Sequence, residues 1–157
     1  MKFSDFFTTD NIQLDKKTLV ILRWIAIIGQ FISISSVYII LNFKLPFFTC
    51  LTVVVLGSLT NLYLQFVVKE NQLSNIKASS YLLYDLIQLS TLLFFTGGVT
   101  NPFIILLIIP AIVSSTFLSL KSTINLSVIT IVILIVLTIS YFPLPHKVIE
   151  ELHFHVP

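Results

Sequence analysis

The apolar residues of this chain come in continuous runs, at 18–41, 47–68, 79–96, 103–120 and 124–142. Each run approaches the roughly 20 residues that a helix needs to cross the hydrocarbon of a bilayer. Hydrocarbon offers no partner to a free N–H or C=O, so only helices, which satisfy their backbone within one segment, and closed barrels can span it. Barrel strands alternate in polarity; these runs do not, and the expected fold is an all-α polytopic membrane bundle of about five transmembrane helices. Composition agrees, with 56% hydrophobic and 10% charged residues against about 25% charged in soluble domains. The polar leader, residues 1–17, precedes a first run too long for a signal-peptide core, so that run is expected to stay as a membrane span. The intended organisation is a leader at 1–17, a transmembrane unit at 18–142 and a tail at 143–157.

The breaks between runs are short and read as turns, Asn42-Phe43-Lys44-Leu45-Pro46 being one and the polar stretch from Lys69 to Asn75 another. Positive charge in short loops faces the cytoplasm. With the N-terminus inside, Lys2, Lys16, Lys17, Arg23, Lys69, Lys77 and Lys121 fall on the cytoplasmic side, and only Lys44 and Lys147 outside. Five crossings then leave the tail outside. The net charge of +2 is scattered along the chain, which gives no basis for a nucleic-acid partner. Cys50 is the single cysteine and reads as a small apolar filler; His146, His153 and His155 lie in the tail, where a His153-x-His155 pair without a third ligand gives no metal site.

A few polar residues interrupt the apolar runs. An unpaired carboxylate at the centre of a membrane helix costs on the order of 2.5–3.5 kcal/mol, so Asp85, about two turns into the third run, requires a partner or a proton. Arg23 reaches a similar depth in the first run, and Asn61 and Gln65 in the second, while Gln88 follows Asp85 by one turn on the same face. Arg23, Asn61, Gln65, Asp85 and Gln88 are therefore expected to form a polar layer between the first three helices. The layer serves either as packing glue or as a signalling or proton-linked centre. Gly29 and Gln30, with Ser33, Ser35 and Ser36, mark a face for close helix packing, and Trp24, Tyr38, Tyr63 and Tyr141 suit the membrane interface.

Between the third and fourth runs the chain reads Gly97-Gly98-Val99-Thr100-Asn101-Pro102-Phe103. Locally this is a helix-to-helix turn: glycine ends one helix in the left-handed region, Asn101 caps the next, and Pro102 takes the first helical position. It also gathers open backbone, an amide and the rings of Phe94, Phe95 and Phe103, the parts that would hold a flat, lipid-soluble dicarbonyl ligand.

The string GGVTNPF resembles the GG-x-x-NPF heptapeptide of the RegB/PrrB family of membrane sensor histidine kinases. TLVILRWIAIIGQ, YDLIQLSTLLFFTGGVTNPF and FPLPH are similar to the same family in the same order, so that the resemblance runs from Thr18 to about His146. It implies a redox-sensing region of a two-component kinase in the bacterial inner membrane, with ubiquinone or a related quinone as cofactor. The site it implies comprises Gly97, Gly98, Asn101, Pro102 and Phe103, with Phe95 as a further wall. It also implies the lipid bilayer, a second copy of the chain, a kinase core and a response regulator as partners. Family members resemble a six-helix unit followed by a phosphoacceptor histidine and nucleotide-binding boxes. This sequence shows five runs and none of those catalytic groups, so it reads as a chain truncated or split before the sixth helix. A small transporter or channel subunit, with Arg23, Asp85 and Asn61 along a substrate path, and a nonfunctional gene remnant are the alternatives.

Overall fold

A computed structural model describes residues 14–39 and 45–142 of the chain. The described residues form five α-helices, α1 (Lys16–Ile39), α2 (Phe47–Phe66), α3 (Asn75–Phe95), α4 (Ile109–Phe117) and α5 (Leu120–Ile139), with two 3-10 segments, Gly98–Thr100 and Pro102–Ile108, between α3 and α4. The chain is an all-α bundle, and α1, α2, α3 and α5 are each long and apolar enough to cross a membrane. The calls on Lys2, on residues 41–44, and on His146, Lys147, His153 and His155 lie outside the described residues.

α5 is rich in isoleucine, valine and threonine, residues that favour strands in water. Hydrocarbon removes that option, because a helix is the form in which one segment meets all its own backbone demands. Its hydroxyls follow the same logic: Thr130 Oγ1 donates to the Leu126 carbonyl at 2.9 Å and Thr138 Oγ1 to that of Leu134 at 2.8 Å. Only 17% of the apolar window of α5 is buried within the bundle, and Ile131, Val132, Ile135 and Ile139 face outwards. Lipid is the solvent that such a face requires.

The helix starts follow local chemistry more closely than hydropathy. α3 begins at Asn75, ahead of the apolar run that starts at residue 79, because the Ser74 side chain caps it by accepting from the Lys77 N–H. α5 likewise begins at Leu120, where Ser119 accepts from the Ser122 N–H.

The fourth crossing differs most from the expected single helix over 103–120. It runs from Pro102 to Phe117 and begins as a 3-10 helix, longer than the three or four residues usual for that form. Pro110 explains the break. Its ring would clash with the Leu106 carbonyl in an α-helix, and it has no N–H to bond there; the Ile109 N–H takes that carbonyl instead, one residue earlier. At about 2.0 Å per residue for the 3-10 part and 1.5 Å for α4, the segment spans roughly 27 Å, close to the ~30 Å hydrocarbon thickness.

Packing sorts the helix ends onto two sides. On the near side, Leu14, Leu73, Ala78 and Leu126 share one buried cluster. There the chain before α1 pairs with the α2–α3 loop, Lys16 N–H to the Asn71 carbonyl at 2.9 Å and Leu73 N–H to that of Leu14 at 3.2 Å, while Lys16 Nζ donates to the Val68 carbonyl at 2.7 Å beyond the end of α2. Far-side contacts join Ile34, Cys50 and Leu92, with Phe47 and Phe95 packed against them. The Phe142 N–H donates to the Phe94 carbonyl at 2.8 Å there, so α3 and α5 end together. The chain therefore passes between the two sides five times.

Candidate functional site

Arg23 is the centre of the polar layer and is only 3% exposed. It enters from α1, where Leu19, Val20, Ile27 and Ile34 are also buried on the inward stripe. Its Nε donates to Asp85 Oδ1 of α3 at 2.8 Å, and its Nη2 donates to Thr60 Oγ1 of α2 at 2.8 Å. The guanidinium carbon lies 5.4 Å from the ring centre of Tyr81 and 5.7 Å from that of Tyr84, both on α3. One cation thus ties three helices, through an ion pair, a hydrogen bond and two aromatic faces.

A second tier lies deeper. Gln88 Nε2 donates to Gln30 Oε1 at 3.0 Å, linking α3 to α1. The Gln88 amide fills the space above Gly57 of α2, where even a Cβ would overlap it. Asn61 is fully buried and donates through Nδ2 to the Val20 carbonyl at 3.2 Å. Gln65 stands apart from this layer: it is exposed, and its Oε1 accepts from Trp24 Nε1 at 3.2 Å. The expected grouping thus loses Gln65 to a contact at the bundle surface.

Depth along the apolar runs pairs Arg23 with Asp85, but it gives no reason to include Thr60, Tyr81 or Tyr84. A signal was present: 81, 84, 85 and 88 follow the i, i+3, i+4, i+7 spacing of one helix face. The other residues singled out in the sequence sit at varied places. Tyr38 stacks on Phe47 at 4.6 Å, Tyr63 is exposed, and nothing lies within 4 Å of the place where a side chain on Gly29 would start.

The GGVTNPF turn occupies the far side. Gly97 has φ 104° and Gly98 φ 57°, the left-handed region that disfavours any side chain. Gly98 also lies against Tyr141, which a Cβ there would overlap. Asn101 Oδ1 accepts from the Phe103 N–H at 2.9 Å, and Nδ2 donates to the carbonyl and the hydroxyl of Thr96 at 3.1 and 2.8 Å. The amide is therefore fully engaged in closing the turn, which corrects the expectation that it stands free to donate to a ligand carbonyl. Pro102 takes the first position of the 3-10 helix, and Phe103 is exposed beyond it.

Beside the turn a groove of about 350 Å³ runs between α3 and α5, lined by Ser90, Thr91, Phe94 and Phe95 on one wall and Ile133 and Leu137 on the other. Phe94 and Phe95 meet edge to face, with ring centres 5.3 Å apart. The Ser90 and Thr91 hydroxyls donate to the Ile87 carbonyl at 2.8 Å each. Phe95 is the one residue of the expected site that lines this groove; Gly97, Gly98, Asn101, Pro102 and Phe103 are not among its lining residues.

Over 142 residues, 90% of its length, the chain is 37% identical to the sensor histidine kinase RegB of Cereibacter sphaeroides. The chain belongs to the RegB sensor histidine kinase family, as its membrane region. It spans about 30% of the length of that relative. No family model and no solved structure matches it.

Proposed function

We propose that this chain is the quinone-responsive sensing region of a two-component sensor histidine kinase, held in the bacterial inner membrane with its N-terminus in the cytoplasm. The observation that carries the reading is the double duty of α3. Its far end forms a wall of the groove through Ser90, Thr91, Phe94 and Phe95, and its middle carries Asp85 and Gln88, which bond to Arg23 and Gln30 of α1. A quinone ring in the groove lies against the Phe94 and Phe95 faces, and its carbonyl reaches the Ser90 or Thr91 hydroxyl, whose proton is redirected from Ile87. The turn contributes shape, with Asn101 holding it closed. A ligand that favours one setting of α3 over another shifts the population of the two, and the α1–α3 bonds report that shift along the bundle. A kinase core, in the same or another chain, and a response regulator receive the signal, and a second copy of the chain completes the signalling unit. The bundle in lipid, the family relation and the loop charges support this reading.

The test is a distance measurement between spin labels on outward-facing Ile25 of α1 and Ile87 of α3, in nanodiscs, with and without a ubiquinone analogue. A ligand-dependent change in that distance is expected. An unchanged distance at saturating quinone refutes the coupling.

A further inference from the structure

Two buried polar atoms, one on an α1 side chain and one on an α2 side chain, have no protein partner among the described residues, Nη1 of Arg23 and Oδ1 of Asn61. Both residues are deeply enclosed, Arg23 at 3% exposure and Asn61 at 0%. Leaving either atom unsatisfied costs about 1–3 kcal/mol, and more for the charged one. The amide orientation of Asn61 is fixed, because its other end bonds to the Val20 carbonyl, which can only accept. The unmatched pair is therefore one donor group and one acceptor.

The two side chains are also anchored on neighbouring residues of the same two helices. Nη2 of the same guanidinium bonds to Thr60, the residue before Asn61, and the Asn61 amide bonds to Val20, one turn before Arg23. Each orphan is thus the free end of a side chain whose other end already bridges the same stretch of the same two helices. We propose that Arg23 Nη1 and Asn61 Oδ1 hold a single internal water molecule that bridges α1 and α2 at the ion-pair centre. Water is the ligand whose chemistry fits, since it accepts from the guanidinium on one side and donates to the amide carbonyl on the other. Buried waters typically answer such groups with two to four hydrogen bonds. The site makes the polar layer locally hydrated at a depth where the surrounding solvent is lipid, and it stands independently of any quinone.

Radiolytic hydroxyl labelling of the whole chain in nanodiscs, read by mass spectrometry, tests this. Radicals generated from a bound water modify the side chains around it even where bulk water does not reach. Modification is expected at buried Val20 and Leu64, one turn from Arg23 and Asn61 respectively, with lipid-facing Ile25 and Val55 unmodified. In Asn61→Leu the modification of Val20 and Leu64 should fall to the level of Ile25 and Val55. Protection of Val20 and Leu64 in the wild type overturns the proposal without recourse to any variant. Undiminished labelling in a folded Asn61→Leu overturns it as well, because the water would then not depend on the amide.

Discussion

Replacing Asp85 with leucine leaves the Arg23 guanidinium, 3% exposed, facing Thr60 and two tyrosine rings with no counter-charge. Removing one partner of a buried pair costs about 3–5 kcal/mol. Arg23→Leu leaves the Asp85 carboxylate, whose side chain is 26% exposed, at a membrane depth where an isolated charge costs about 2.5–3.5 kcal/mol. It also loses the Thr60 hydrogen bond, worth about 1 kcal/mol, so the two single variants should suffer comparably. Changing both to leucine removes both charges, and apolar replacement of a buried pair is often close to neutral. The double variant should then lose only about 1–2 kcal/mol, the share of the Thr60 bond and the tyrosine contacts, where an additive outcome would be about 6.5–9.5 kcal/mol. Trp24, the only tryptophan, lies on the α1–α2 seam and reports unfolding by fluorescence as SDS is titrated into mixed micelles. A double variant as unstable as the sum of the singles would refute the coupling of Arg23 and Asp85.

Gly57→Ala should displace the Gln88 amide from the α2 surface and break its bond to Gln30, a loss of roughly 1–2 kcal/mol in the same SDS titration. Gly98→Ala combines a left-handed backbone at φ 57° with a Cβ that overlaps the Cβ and ring of Tyr141, so a loss of about 1–3 kcal/mol is expected; the cost should fall if Tyr141 is also changed to glycine, which removes that Cβ, and should not fall with alanine, which keeps it. A cysteine at Lys69, introduced in a Cys50→Ser background, should resist an impermeant maleimide in spheroplasts and react once the membrane is opened, as the loop charges require. Labelling from outside would reverse the orientation.

The helices were legible because lipid leaves the backbone a single local solution, and apolar runs of that length report it directly. Pairing of Arg23 with Asp85 was legible by depth, since each is costly alone at that level. Rotation about the helix axis was not: Gln65 sits at a suitable depth but on the surface, bonded to Trp24, whereas Thr60, five residues earlier, meets Arg23. The 3-10 course of Pro102–Ile108 was hidden because hydropathy does not register the backbone demand of Pro110 four residues after Leu106. Sequence alone suits Asn101 to both cap and ligand donor; the cap is found, and the second use is closed by Thr96, a hydroxyl five residues back in sequence that folds against it only once the turn exists.

The reading of this chain as a quinone sensor is tested most directly by titrating an absorbing ubiquinone analogue into the detergent-solubilised wild type, Phe95→Ala and Asn101→Ala. With the ring held in the groove and Asn101 confined to the turn, Phe95→Ala should weaken binding about 3–10-fold, in line with roughly 0.5–1.5 kcal/mol for an aromatic contact. Asn101→Ala should lose about 1 kcal/mol of fold stability through its cap while retaining near wild-type affinity wherever it remains folded. Equal affinity of wild type and Phe95→Ala, or no saturable binding to the wild type, would contradict the account.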